Sequence, residues 1–178
     1  ACHSLDFERM RILCMTLKAN GLGFGFPALS ESAKAALTAL DGYPAGWFAP
    51  TYKDSIEAWL DFKRMLEPVI ANKNETDKRL ELITGGTIEV WTMSDPDSSG
   101  RSRKYKRVVV DEAAKVPQLE IAWTQSLRPT LADYRGDAWF LSTPKGRNYF
   151  WRLYNMAAEY DDWRAWQMPT SANPYIAA

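Results

Sequence analysis

Cysteine and histidine are nearly missing from this chain, at two Cys and one His in 178 residues. Cys2, Cys14 and His3 fall short of the four ligands of a structural zinc site, and two thiols make no disulfide framework. Long hydrophobic runs are missing as well. Stretches such as Ala138-Trp139-Phe140-Leu141 stop far below the roughly 20 apolar residues that cross a bilayer. The start lacks the basic, then apolar, then small-residue order of an export signal, so the sequence reads as soluble and not exported. Excess charge of either sign is absent: Lys plus Arg is 22 and Asp plus Glu is 22. Attraction to DNA, membrane or an acidic ligand must therefore come from a local patch. Gly and Pro, ten of each, are too few for a collagen-like or low-complexity chain.

What is present suits one globular domain. The hydrophobic share is 46%, and a chain of this length buries about 70% of its unfolded surface. Eight Trp, eight Tyr and seven Phe are expected in the core and at its rim. No repeat is visible. Residues 4–18 suggest a helix capped by Ser4, without a clean apolar stripe. A Gly-rich loop, Gly21 to Pro27, precedes a second helix that Ser30 caps and Gly42 ends, with Ala33, Ala36, Leu37 and Leu40 on one face. Gly46 to Pro50 reads as a buried strand. Asp54 or Ser55 is expected to cap a helix that runs to Pro68. Residues 79–84 and 87–92 alternate around Gly85-Gly86, the pattern of a hairpin with a two-residue turn. A polar loop, Ser94 to Lys106, leads to a strand at 107–112; then come a helix from Pro117 to Leu127, a strand at 137–142, a helix at 146–159 and a last strand at 163–168. Strands alternating with helices predict an α/β fold, a mainly parallel sheet covered on both faces.

Chemistry concentrates at two strand ends. Val108-Val109-Val110 is β-branched throughout, as in a central parallel strand, and Asp111-Glu112 follow it. Ligands of such sheets gather beyond the strands' carboxyl ends. Asp111 suits Mg²⁺, a hard cation that prefers oxygen ligands, and Glu112 suits a general base that polarises water. This is the Walker B pattern, which short acidic helix starts also produce by chance. The next strand ends in Ser142-Thr143-Pro144-Lys145-Gly146-Arg147. Ser142 and Thr143 are placed to sense a terminal phosphate, and Lys145 and Arg147 to face phosphate oxygens. A plain hydroxyl-capped turn accounts for the same residues.

Taken together, Trp47 to Lys53, Arg79 to Thr84 with Gly85-Gly86, Val108 to Ala114 and Arg128 to Asn148 resemble the ATPase half of a tailed-phage terminase large subunit. The likeness extends over residues 43–176 with the motifs in the family's order. It implies an ASCE, P-loop-NTPase-like fold that uses ATP and Mg²⁺ to drive double-stranded DNA into a procapsid. A portal protein and a small terminase subunit would be its partners, subunits would form a ring, and the site of action would be the cytoplasm of a bacterial host. In this frame Asp111 holds the metal, Glu112 activates water, Ser142-Thr143-Pro144 couple hydrolysis to movement, and Thr51 and Tyr52 lie on a helicase-like nucleotide segment. Within the basic loop Arg101, Arg103, Lys104, Lys106 and Arg107, Arg101 is the preferred finger for a neighbouring subunit's nucleotide. A solvated basic turn and a contact for DNA phosphates are the other readings of that loop.

The chain departs from the family where a phosphate loop should be. G-x-x-x-x-G-K-[ST] supplies amides and a Lys to the phosphates, and no Gly-Lys pair occurs anywhere in the sequence. Gly21, Gly23 and Gly25 are wrongly spaced, Lys34 falls inside a helix, and Lys18 precedes the glycines. Residues 1–42 are accordingly expected to be an atypical segment before a terminase-type core at 43–178, with weak nucleotide affinity and turnover. Asn173-Pro174-Tyr175 resembles the exit from that core, so no nuclease, and no DNA cleavage, is expected of these residues. Two alternatives stand beside an impaired packaging ATPase: a non-catalytic remnant that binds DNA or a partner, and a helicase-type ATPase.

Overall fold

A computed structural model describes residues 31–95 and 99–167. The expected helix at 4–18, the cysteines, the Gly21–Pro27 loop, the Ser30 cap and Asn173-Pro174-Tyr175 lie outside the described residues. The chain enters through helix α1 (Glu31–Leu40), which Gly42 terminates at φ +86° while donating its N–H to the Ala39 carbonyl, 3.0 Å. Strand β1 (Pro44–Ala49) follows, then helix α2 (Tyr52–Leu66). The cap of α2 is Thr51, one turn earlier than Asp54 or Ser55. Thr51 keeps an extended backbone, and its hydroxyl oxygen accepts from the Asp54 N–H at 3.3 Å, whereas Asp54 and Ser55 are already helical.

Pro68 ends α2 as expected, in a 3-10 turn (Glu67–Val69), but the next segment is strand β2 (Ile70–Asn74). Ile-Ala-Asn-Lys-Asn carries no strand-like alternation of its own. It becomes a strand by antiparallel pairing with β3 (Arg79–Leu82), at the outer edge where polar side chains remain solvated. The β3–β4 hairpin forms, with β4 at Thr87–Thr92, yet its turn is longer than two residues. Ile83 sends its N–H to Val69 and Leu82 bonds to Gly86, so residues 83–86 make the loop and Gly85 takes φ +84°.

Strand β5 (Arg107–Val110) is an inner strand but not the central one expected: it lies between β1 and the edge strand β6 (Asp137–Phe140). Between them the chain forms a 3-10 turn (Ala113–Lys115), helix α3 (Leu119–Ile121), a π-helical stretch (Ala122–Leu127) and helix α4 (Arg128–Thr130). Helix α5 (Tyr149–Met156) is shorter than the expected 146–159, because Gly146 sits at φ +69° and Asn148 is the cap, its side-chain oxygen accepting from Trp151 N–H at 3.1 Å. The expected last strand at 163–168 is not one over its described part, 163–167. Trp163 stacks on Phe140 and Trp166 stacks on Trp139, so aromatic faces hold this segment to the sheet.

The six strands run β2-β3-β4-β1-β5-β6, parallel from β4 through β6 and antiparallel at β2 and β3. Period-two alternation divides the core. Trp47, Val90 and Val109 pack with Ala35, Ala36, Ala39, Trp59, Phe62 and Leu66 of α1 and α2. Phe48, Val108 and Val110 pack on the opposite face with Leu119, Trp123, Leu127 and Leu153. The sheet is thus the expected mainly parallel one, covered by helices on both faces.

Candidate functional site

Three parallel strands deliver polar residues to one edge. At the end of β1, Thr51 donates to the Asp54 carboxylate at 2.7 Å. At the end of β5, Asp111 sends its N–H to the Phe48 carbonyl, 2.8 Å, continuing the ladder to β1 by one residue. Glu112 then turns the chain sharply in the left-handed region at φ +47°. A β-carbon makes that region costly, and such residues persist where the surroundings over-determine them. The cause is visible on both sides: the Glu112 N–H bonds the Asp111 side chain at 2.9 Å, and Ala113 N–H bonds the Leu141 carbonyl at 2.8 Å. The strand end and the turn after it are thereby stitched to β1 and β6.

Asp111 and Glu112 are both half-buried. Burial pushes the Asp111 carboxyl above its usual value; the Glu112 and Asp54 charges push in the same direction, opposed by the Glu112 amide and Lys115. Glu112 takes Lys115 Nζ at 3.2 Å and, on its other oxygen, the Ser142 hydroxyl at 3.4 Å. The acids of β5 and the first hydroxyl beyond β6 therefore meet at one edge. Thr143 and Pro144 continue from Ser142 into solvent.

The remaining predicted residues stand apart. Among the described residues no contact joins Arg101, Lys145 or Arg147 to the acids. All three are exposed, and the Arg147 guanidinium lies over the Trp151 ring, 5.7 Å from its centre. Tyr52 is exposed on one side and covered on the other by Lys78 Nζ, 4.0 Å from the ring centre; Lys78 also donates to Ser55 at 3.0 Å. Most of the basic loop is occupied. Arg103 pairs with Glu89 at 3.4 Å, Lys104 with Asp133, Lys106 with the Tyr134 carbonyl at 3.1 Å, and Arg107 with Asp137 at 2.6 Å. Lys34 is buried in α1 over the Trp139 ring at 3.9 Å.

Three contributors escaped the sequence reading. Lys115 reaches Glu112 only because a 3-10 turn sets them three apart on one side. Asp54 looked like a cap, but its charge also bears on Asp111. Asn148 donates to the Ala114 carbonyl at 3.2 Å, tying α5 to the turn after the acids; its position as an N-cap was the available signal.

The donor set fits a hydrated magnesium ion. Among the described residues no three His, Cys, Asp or Glu side chains gather as a metal cage. Mg²⁺ is commonly held by one or two carboxylates with waters and phosphate oxygens completing its shell, and Asp111 supplies one such carboxylate.

A six-stranded, mostly parallel sheet of this order with helices on both faces has the fold of solved phage large-terminase ATPase domains. Two solved structures carry the comparison, both of the large-terminase ATPase domain of Thermus phage P74-26. A mutant form superposes with TM-score 0.57 at 20% identity, and another with TM-score 0.54 at 22%. Each match covers 71% of this chain and 61% of the solved one. In sequence, the chain is 32% identical over 118 residues to the terminase large subunit of Escherichia phage T5, matching 64% of its own length. It spans 26% of that relative, about a quarter. The resemblance to phage terminase large subunits thus holds in sequence as well as in fold. No protein-family model matches the chain. Among the described residues no helix is long and apolar enough to cross a membrane.

Proposed function

We propose that residues 43–178 form the ATPase core of a DNA-packaging terminase large subunit, hydrolysing ATP with Mg²⁺ to translocate double-stranded DNA. The observation that carries this reading is the strained turn at Glu112, which holds a half-buried acid pair against Ser142 at the sheet's carboxyl edge. Asp111 would hold a magnesium ion, directly or through water, and the ion would supply positive charge near the phosphates. Glu112 orients the attacking water and takes its proton, with Lys115 stabilising the carboxylate beforehand. Ser142, which donates to Glu112, reports the state of that carboxylate to Thr143 and Pro144, while Asn148, which donates to the Ala114 carbonyl, ties the turn after Glu112 to α5. Thr51 and Tyr52 border the nucleotide from α2, Lys145 and Arg147 approach its phosphates, and Arg101 serves the nucleotide of a neighbouring copy in a ring. Double-stranded DNA, a portal protein and a small terminase subunit are the partners, in the cytoplasm of a bacterial host.

The missing Gly-Lys pair predicts impaired binding and turnover, since each charge-assisted hydrogen bond lost is worth about 1.5–3 kcal/mol. It also favours the second reading, a non-catalytic module that binds DNA or a partner. Purified protein with linear duplex DNA decides between them. Slow, magnesium-dependent ATP turnover that Glu112→Gln abolishes supports the packaging ATPase. Salt-sensitive DNA binding with no turnover above the Glu112→Gln background supports the module.

A further inference from the structure

One buried carboxylate takes no part in the edge just described. Glu89, in the middle of β4, is only 4% exposed. Its oxygens accept from Arg79 of β3 at 3.3 Å and from Tyr105 of the loop between β4 and β5, and Arg103 of that loop forms an ion pair with it at 3.4 Å. The Tyr105 ring reaches Glu89 because Gly46 of β1 lies beneath it, where a β-carbon would stand 3.1 Å from the ring. Trp91 donates to the Tyr105 hydroxyl at 2.9 Å, and the Arg103 guanidinium lies 5.6 Å from the Trp91 ring centre. Burial and the Glu89 charge hold the Tyr105 phenol far above its usual value, so it stays a donor.

The loop is also fastened at its other leg. The hydroxyl of Ser99, 4% exposed, lies 2.6 and 2.7 Å from the carbonyl oxygens of Thr92 and Asp95 and shares its one proton between them. Gly100 packs on Phe48 so closely that a β-carbon would meet the ring at 2.7 Å. Between the fastenings stands a short tip, Gly100 at φ +73°, Arg101, and Ser102 at φ +65°. A merely solvated basic turn needs no buried carboxylate beneath it. Lone buried charges are expensive, and this one is neutralised jointly by Arg79 of β3 and Arg103 of the loop.

We infer that Glu89, acting through Arg103 and Tyr105, is the positioning residue that fixes the tip carrying Arg101. The inference rests on Arg101 acting on the nucleotide of a second copy of this chain, and it assigns Arg103 to the mount. An exposed Arg loses less freedom on engaging a phosphate when its backbone is already held.

Glu89→Gln keeps an acceptor for Tyr105 while removing the charge between Arg79 and Arg103; Tyr105→Phe removes only the hydroxyl. In both, amide hydrogen exchange at residues 101–105 should quicken at least about tenfold, with β1 and β5 unchanged. Unchanged exchange at the tip, or acceleration across the whole sheet, overturns the assignment. In ATP turnover each variant should lower kcat with KM unchanged, and Glu89→Gln should add nothing to Arg101→Ala in the double variant. Full additivity there also overturns it. A wild-type protein without magnesium-dependent turnover defeats the ATPase reading alone, and the exchange measurement still decides the mount.

Discussion

Asp111 sits in an environment that disfavours its own charge: half-buried, beside Glu112, and within reach of the Asp54 field. Carboxylates held this way are commoner at reactive or cation-binding sites than in inert structure, because the cost is recovered only when a positive charge arrives. The sign of the pH effect follows. With its folded pKa above the usual 3.8, the folded chain binds this proton more strongly than the unfolded one. Stability therefore falls as pH rises from the ordinary value through the raised one. In magnesium-free buffer Asp111→Asn, which keeps the oxygen that accepts the Glu112 amide, should be more stable than wild type at neutral pH, by less than about 1 kcal/mol because solvent screens the half-exposed carboxylate. The gain should vanish below the ordinary carboxylate value. Urea midpoints at the two pH values check this, and a variant less stable at neutral pH refutes it.

At the scale of elements, adjacent glycines in one loop do different work. Gly85 needs its positive φ and has open space around it, whereas at Gly86 a β-carbon would stand 1.9 Å from the Ala39 carbonyl oxygen. Gly86 is where the β3–β4 hairpin lies against the end of α1, and the Thr84 hydroxyl bonds the same Ala39 carbonyl at 2.9 Å. Gly85→Ala should cost about 1–2 kcal/mol from left-handed strain. Gly86→Ala should cost about 3 kcal/mol or more, because backbone atoms must separate. Denaturant titrations of the pair test the ordering; equal losses would mean that α1 yields without cost.

For the molecule as a whole, the two sheet edges are managed differently. The β2 edge is polar and exposed, a common safeguard against pairing with another chain. At β6 the last two residues, Trp139 and Phe140, are aromatic and half-buried, and the segment after α5 crosses them, with Trp163 on the Phe140 face and Trp166 on the Trp139 face. Trp163 also meets Trp123 edge-on, with ring centres 6.4 Å apart. Trp163→Ala removes two aromatic contacts of about 0.5–1.5 kcal/mol each, so a loss of roughly 1–3 kcal/mol is expected. Thermal unfolding with light scattering reads it: a lower midpoint, and association on warming as the edge is uncovered. Unchanged behaviour would show that the segment contributes nothing to the sheet.

The order of strands and helices, the two-faced core and the acid pair at the end of β5 were legible in the sequence, because each rests on a local pattern. A β-branched run, a 3.6-residue stripe and residues that follow a strand need no knowledge of distant partners. Tertiary structure alone decided that 70–74 would be a strand, since its polar residues extend only when β3 offers an edge. It also decided that 163–167 would not be one, since these tryptophans gain more from stacking on β6 side chains than from backbone pairing. The approach of Ser142 to Glu112 and the burial of Glu89 under Arg79, Arg103 and Tyr105 belong to the same class. These groups lie 30 residues apart in the first case and on separate elements in the second. Only the register of the strands, set by packing on both faces of the sheet, brings them within reach.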